Sequence, residues 1–425
     1  MPPPYETLLI EAFHSAVRAV SAESILPPHL PARPRGRLLV AAIGKAAADM
    51  AACVERHWPA DAPLDGLAIT RHGHGVPTHR THVVEAGHPL PDRDGQEAAR
   101  AMLELIGRAA PDDHVLALIS GGGSSLLTLP APGLTLPDIQ ATVRGLLGSG
   151  APIADINCVR KHLSLTLGGR LAAACRAPVT ALLLSDVVGD DPGVIASGPF
   201  HADVTTHADA LAVLDAWHVE APAAVVDFLC RGTQGEIQET PKPGAACFER
   251  VDTRIIGSGT TALAGAAAFL EAQGVEVVQM GDRHVGEAEA MARYFAAEVR
   301  GLRACAPRRA KPLALLSGGE AQVTVRGGGR GGRNGQFLLA LALDTRGLEG
   351  IHALAADTDG IDGTGDNAGA ILTPTTLERA AALGLDAPAC LARNDAYGFF
   401  AALDDLLVTG PTRTNANDFR AILLA

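Results

Sequence analysis

Leu38-Leu39-Val40-Ala41-Ala42-Ile43-Gly44-Lys45-Ala46-Ala47-Ala48 decides the fold class. Six apolar residues without polar alternation read as a strand buried on both faces. Glycine and lysine make the turn, and an alanine-rich helix follows from about Ala46. This β-turn-α unit recurs. Strand candidates stand at 67–70, 82–86, 114–119 and 179–184, with helical patterns at 93–108, 136–148 and 151–163. Upstream, Leu8, Leu9, Ala12, Phe13, Ala16 and Val17 give a helix over 5–20, and a Pro/Arg-rich loop covers 27–36. Apolar strands alternating with helices predict an α/β fold with a mostly parallel sheet covered on both faces.

Residues 231–250, rich in Gly, Pro and polar side chains, read as a linker. A second αβ series starts near 254. Strand Ile255–Ile256 runs through Gly257-Ser258-Gly259 into an alanine-rich helix, followed by a strand at 275–279 and a helix at about 286–303. Strands at 312–316 and 321–325, a helix at 334–343 and a strand at 351–356 complete it. The expected domains are 1–240 and 250–425.

A length of 425 residues suggests about two or three domains. The hydrophobic share of 47% allows sizeable cores, and the 4% aromatic share makes them alanine, leucine and valine packing. Lys and Arg total 35 against 47 acids, a net charge of −12. That balance argues against nucleic acid or an anionic membrane as partner, since both reward clustered positive charge. The seven dispersed cysteines form no C-x-x-C pair and read as reduced thiols. Met1-Pro2-Pro3-Pro4-Tyr5-Glu6 carries no signal-peptide pattern. No apolar run approaches the roughly 20 residues of a membrane span, so a cytoplasmic protein is expected.

Open α/β sheets bind ligands beyond the carboxyl ends of their strands, and polar residues gather there. Lys45 occupies a strand-to-helix turn beside backbone N–H groups and a positive dipole end, a place that suits phosphate or carboxylate. Ser120-Gly121-Gly122-Gly123-Ser124-Ser125 follows a strand directly. Its glycines let N–H groups converge on an anion, and its serines add hydroxyl donors. Arg160 and Lys161 interrupt an apolar helix; a solvated face is the alternative. Asp186, Asp190 and Asp191 end another strand, where carboxylates hold Mg2+ or accept a hydroxyl proton.

Ser317-Gly318-Gly319-Glu320 reads as a further strand-end loop. Gly327 to Gln336 carries Arg330 and Arg333 into a helix start, the composition of a mobile anion clamp. Asp357-Thr358-Asp359-Gly360-Ile361-Asp362 begins like an EF-hand loop, but Ala368-Gly369-Ala370 stands where the glutamate is required, which excludes calcium sensing. Metal or nucleotide contact by these carboxylates stays open. The cluster from Gly410 to Asp418 reads by composition as a solvated tail.

In sequence order, several blocks resemble the class II glycerate 2-kinase family, whose C-terminal half carries the MOFRL domain, here about 312–420. They are Gly87-His88-Pro89-Leu90-Pro91-Asp92, Ser120–Ser125, Val159-Arg160-Lys161-His162-Leu163-Ser164, Ser185-Asp186-Val187-Val188-Gly189-Asp190 and Ala196-Ser197-Gly198-Pro199. Gly331-Gly332-Arg333-Asn334, Asp357 to Gly363 and Thr409-Gly410-Pro411-Thr412-Arg413-Thr414-Asn415 follow. The resemblance spans nearly the whole chain. It implies a Rossmann-like N-terminal domain, a smaller α/β C-terminal domain and an active cleft between them.

The implied reaction is ATP-dependent phosphorylation of D-glycerate at its 2-hydroxyl. The resemblance makes Lys45 and Arg333 catalytic. On that basis Ser120, Gly121, Gly122, Gly123, Ser124 and Ser125 cradle phosphates, and Arg160, Lys161, Asn334, Asp357, Thr412 and Asn415 join substrate or phosphate binding. Asp190, with Asp186, holds Mg2+ or orients the substrate hydroxyl. The partners are then D-glycerate and a nucleotide, for a monomer or homodimer. Relatives are also labelled hydroxypyruvate reductases, but no G-x-G-x-x-G fingerprint is present for a nicotinamide dinucleotide. A non-catalytic sugar-acid or nucleotide sensor is the rival of another class.

Overall fold

The computed structural model describes residues 4–305 and 309–425. Met1-Pro2-Pro3, part of the stretch read for a signal peptide, lies outside them. The chain forms two compact units: Ile25–Ile256, and the residues up to Ser24 together with Gly257–Ala425.

The opening helix α1 (Tyr5–Ala19) therefore packs with the second half of the sequence and not with the domain expected to begin at residue 1. Its buried stripe of Leu8, Leu9, Ala12, Phe13 and Ala16 explains why. Phe13 meets Phe419 edge-on at 5.8 Å, and Glu6 pairs with His352 at 3.2 Å.

In the unit Ile25–Ile256 the elements that frame the site include β1 (Leu38–Ile43), α2 (Ala47–His57), β2 (Leu64–Arg71), β3 (Thr81–Ala86), α3 (Arg93–Gly107), β4 (His114–Ile119), α4 (Ile153–Leu163), β5 (Val179–Leu184) and β6 (Val251–Gly257). The strand order is β3-β2-β1-β4-β5-β6, and the pairings among the first five strands are parallel. β1 and β5 are buried along their whole length, as unbroken apolar runs require when helices cover both faces. The order reverses direction between β1 and β4. In a doubly wound sheet that reversal opens a crevice at the carboxyl ends of the two strands.

The expected linker at 231–250 is not a free tether. Helix Ala223–Thr233 enters it, and β6, drawn from the series read as the second domain, closes the first sheet. The units part at Ile256 and Gly257.

The other unit contains α5 (Gly259–Ala272), β7 (Glu276–Glu287), α6 (Ala288–Cys305), β8 (Leu313–Gln322), α7 (Arg333–Asp344), β9 (Ile351–Asp357), β10 (Gly369–Leu372), β11 (Leu406–Leu407) and β12 (Asp418–Leu424). Its sheet runs β11-β10-β9-β12-β8-β7, and β12 lies antiparallel to both β8 and β9. The apolar C-terminus is thus a central strand, and Asp418 at its start is interior rather than part of a solvated tail.

The strands expected at 312–316 and 321–325 are one strand, with Ser317-Gly318-Gly319-Glu320 inside it. These glycines serve close approach, not a turn. A Cβ on Gly319, which sits at φ +111°, would lie 2.1 Å from the His284 carbonyl oxygen of β7. Among the described residues, no helix is long and apolar enough to cross a membrane.

Candidate functional site

The loops after β1 and β4 are laced together. Ser120 N–H donates to the Ile43 carbonyl at 2.9 Å, Lys45 N–H to the Gly121 carbonyl at 2.9 Å, and Ala46 N–H to Ser120 Oγ at 3.0 Å. Contact this close needs Gly44, at φ +122°, because a Cβ there would stand 2.3 Å from both the hydroxyl and the carbonyl oxygen of Ser120. The Ser120 side chain, wholly buried, is therefore a brace between the loops.

Gly122 adopts φ +82°, and a Cβ on it would lie 3.3 Å from Lys45 Cγ and 3.1 Å from His88 Cδ2. Lys45 and His88 flank the glycine loop as a result. The backbone N–H groups of Gly121, Gly122, Gly123 and Ser124 have no acceptor among the described residues. Ser125, expected to offer its hydroxyl outward, turns it back to the Gly122 carbonyl at 3.1 Å. Ser124 behaves differently, accepting a hydrogen bond from Ser197 Oγ at 2.8 Å.

Asp190 follows β5 with φ +58°, its N–H donating to the Val187 carbonyl at 3.1 Å. Its half-buried carboxylate has no hydrogen-bond or ion-pair partner among the described residues. Asp186, four residues earlier, is also half-buried. Asp191 caps the same turn, taking the Gly193 N–H at 2.8 Å.

On α4 the two expected basic residues part company. Lys161 is buried and gives its ammonium to Asp203 at 3.3 Å, a structural ion pair. Arg160, one residue earlier, has no acidic partner among the described residues, and burial pushes its guanidinium down to about 10.

Around Asp203 lies a network that ties the 231–250 segment to the first unit. Glu239 accepts the His207 backbone N–H at 2.9 Å and stands 3.3 Å from His162 Nε2 and 3.2 Å from Lys242 Nζ. Asp203 also receives the Thr240 hydroxyl at 3.0 Å. His162, His207 and Glu239 have the ligand types of a metal site. Lys161 and Lys242, however, already neutralise the two carboxylates, so no net negative charge remains to draw a divalent cation. The cluster is a tie.

In the other unit, Arg333 begins α7 and is held tightly. Its Nε–H donates to Asp418 at 2.7 Å, Nη1 to Glu320 at 3.2 Å, and Nη2 to Asp357 at 2.8 Å and Asn417 at 3.0 Å. Four of the five guanidinium N–H groups are committed. Burial would lower its pKa, but Asp418, Asp357 and Glu320 overcome that and hold it well above the usual arginine range.

Gly332, directly before Arg333, is packed: a Cβ on it would lie 2.3 Å from an Asp362 carboxylate oxygen. Asp362 accepts the backbone N–H of Asn334 and of Gly335, each at 2.9 Å, and burial drives its pKa up to about 6 against those bonds. Asn334 is fully buried and donates to Asp418 at 2.8 Å, bracing the network from its amide nitrogen. Asp357 binds Arg333, and Thr412 is tied through its N–H to the Asp359 carbonyl at 3.1 Å. Asn415 is buried and accepts the Asn417 N–H.

Asp418, Glu320, Asn417 and Arg420 went unread as members of this network. The available signal was Asp418-Phe419-Arg420, a charged pair spaced by one residue at the head of an apolar run, hence on one face of a strand. Arg420 lies wholly buried against the same Asp418.

Comparison with known proteins adds the family context. A model described as a domain of unknown function, DUF4147, matches residues 8–230, and that of the MOFRL family matches 313–418. A Thermotoga maritima protein named D-glycerate 2-kinase is 37% identical, over 98% of this chain and 98% of its own. An Agrobacterium vitis protein named "Putative hydroxypyruvate reductase" is 44% identical, over 98% of this chain and 94% of its own. The crystal structure of glycerate kinase from Thermotoga maritima superposes with a TM-score of 0.87 at 36% identity, covering 99% of both chains.

Proposed function

The chain belongs to the glycerate kinase family that carries the DUF4147 and MOFRL domains, and we propose that the laced loops after β1 and β4 carry its phosphoryl transfer. The reaction is ATP-dependent phosphorylation of D-glycerate at the 2-hydroxyl, yielding 2-phosphoglycerate and ADP. One observation carries the assignment of the site. Lys45 stands over a glycine loop with four consecutive uncommitted N–H groups, at the point where the strand order reverses.

Phosphoryl transfer asks the protein for alignment and for neutralisation of developing charge, with little covalent help. The N–H groups of Gly121 to Ser124 receive phosphate oxygens. The Lys45 ammonium offsets charge on the group in transit. Gly122 has no side chain, so a phosphate can approach the backbone between Lys45 and His88. Arg160, a mostly enclosed cation without an acid beside it, suits the glycerate carboxylate.

Asp190, with Asp186, would hold Mg2+, because hard carboxylate oxygens suit that ion and the Asp190 carboxylate is not engaged by the described residues. When bound, the ion spreads the negative charge of the nucleotide phosphates. Arg333 is assigned to the transferring phosphoryl group by the family resemblance. Its carboxylate collar makes it a cation fixed in orientation beforehand rather than a mobile finger.

The reductase name borne by two Agrobacterium vitis relatives finds no support in the first strand-to-helix turn. It reads Gly44-Lys45, without the glycine fingerprint that brings a dinucleotide pyrophosphate onto a helix. The deciding assay pairs two measurements on one preparation. ADP release from ATP and Mg2+ is expected only when D-glycerate is added, and NADH is expected to remain unoxidised with hydroxypyruvate. Hydroxypyruvate-dependent NADH oxidation without glycerate-dependent ADP release would reverse the reading.

A further inference from the structure

The segment Ala196-Ser197-Gly198 does something that its sequence does not advertise. All three residues are left-handed, at φ +51°, +58° and +57°. Glycine adopts that conformation freely; alanine and serine do so at a cost that persists only where surrounding structure demands it. The surroundings here are specific. Ser197 C=O accepts the Gly168 N–H at 2.9 Å, and Gly198 C=O accepts the Gly169 N–H at 2.7 Å. Ala196 presses on the phosphate loop so closely that a Cβ on Gly123 would lie 2.5 Å from its own.

The product of this strained turn is one hydrogen bond. Ser197, with none of its surface exposed, aims Oγ at Ser124 Oγ at 2.8 Å, and the geometry admits Ser197 only as the donor. A hydroxyl carries a single proton. Ser124 accepts from Ser197, so its own proton must go elsewhere, and no acceptor for it exists among the described residues. Ser124 keeps 9% of its surface exposed, enough for its hydroxyl to meet a ligand. Accepting one hydrogen bond also makes a hydroxyl a stronger donor in the next. The neighbouring Ser125 cannot substitute, since its proton is given to the Gly122 carbonyl.

We propose that Ser197 is a positioning residue for phosphoryl transfer: held in a left-handed turn, it donates to Ser124 and thereby commits the Ser124 hydroxyl to donate to a phosphate oxygen of the bound nucleotide. This rests on the reading of the 120–125 loop as the phosphate cradle. Nothing in the relay changes covalent bonds; it fixes the direction of one proton.

A double-mutant cycle on the full-length protein tests it, with D-glycerate, ATP and Mg2+ as substrates. Ser197→Ala keeps a residue type that the turn already tolerates at 196. It is expected to lower kcat/KM for ATP about tenfold, a common size for the loss of one orienting contact. Ser124→Ala is expected to cost about a hundredfold, within the range for a donor aimed at developing charge. The double variant should be no worse than Ser124→Ala alone, because Ser197 acts only through Ser124. Ser197→Cys, which keeps a weak donor, should fall between the parent and Ser197→Ala. A melting curve for each variant separates unfolding from lost orientation.

A double variant about tenfold below Ser124→Ala would overturn the relay while leaving the cradle standing. So would a Ser197→Ala protein with the parent's kcat/KM beside an impaired Ser124→Ala. A folded Ser124→Ala enzyme with undiminished activity would take the Ser124 hydroxyl out of phosphate binding, and the relay with it, while the backbone N–H cradle would stand or fall with Lys45→Ala.

Discussion

Lys45 owes its position to three backbone facts: a buried strand ends at Ile43, Gly44 adopts φ +122°, and the Lys45 N–H is fixed to the Gly121 carbonyl. Its backbone position is therefore set by the strand end, by Gly44 and by the glycine loop. Lys45→Ala should still fold, with a cooperative melt, and lose about a hundredfold or more in kcat, the scale of removing one electrostatic contact to a transition state. Steady-state kinetics beside a thermal melt checks this, and a stable variant with the parent's kcat contradicts it. Arg333 is a different kind of residue, because its guanidinium holds Asp418, Asp357 and Glu320 together. A lysine keeps the charge and loses the planar fork. Arg333→Lys should therefore lower kcat at least about tenfold, roughly 1.4 kcal/mol, and also lower the melting midpoint, since a buried carboxylate loses its partner. A melting midpoint equal to the parent's would mean that the carboxylate collar contributes little. Gly332, read in the sequence as part of a mobile clamp, makes room for Asp362 through its missing side chain. A glycine that serves close packing and one that serves motion look alike in sequence.

At the scale of elements, what was legible followed the strength of the period. The apolar runs at 38–43, 114–119 and 179–184 match β1, β4 and β5 residue for residue, because a strand buried on both faces leaves no ambiguity. β12 was missed because Asp418 and Arg420 break its apolar run; their partners, Arg333, Asn334 and Gly318 O, lie about a hundred residues away or nearly so. The 231–250 segment misled for a similar reason. Its composition is that of a linker, while Glu239 finds His207, His162 and Lys242 only in the folded chain. That tie has a testable pH signature. Burial alone would raise the Glu239 pKa, but hydrogen bonds from the His207 backbone and ring and from the Lys242 ammonium bring it down from 4.5 to about 2. A depressed folded-state pKa means stability that is present above the unfolded value and lost as pH falls through the folded one. Glu239→Gln should thus melt below the parent at pH 7, with the difference shrinking from about pH 4.5 down toward pH 2. Melting curves across that range check it; a difference that does not vary with pH would assign Glu239 a packing role only.

For the whole molecule, the alternation of apolar strands and helices was enough to predict two α/β units, but not where they divide. α1 belongs to the unit of Gly257–Ala425 because its stripe meets α5 and Phe419, partners that no local pattern announces. Within Ile25–Ile256, the order β3-β2-β1-β4-β5-β6 brings Lys45 and the glycine loop to one crevice. Sequence alone marked both segments as anion-binding without showing that hydrogen bonds join them. That joining underlies the functional account, which stands or falls on the reaction's product. The protein should be incubated with D-glycerate, ATP and Mg2+, and the phosphorylated product identified by phosphorus and carbon NMR. The account predicts 2-phosphoglycerate, formed with stoichiometric ADP and lost when Lys45 is replaced by alanine. Phosphate on the 3-hydroxyl, or glycerate left unphosphorylated by folded protein, would contradict it.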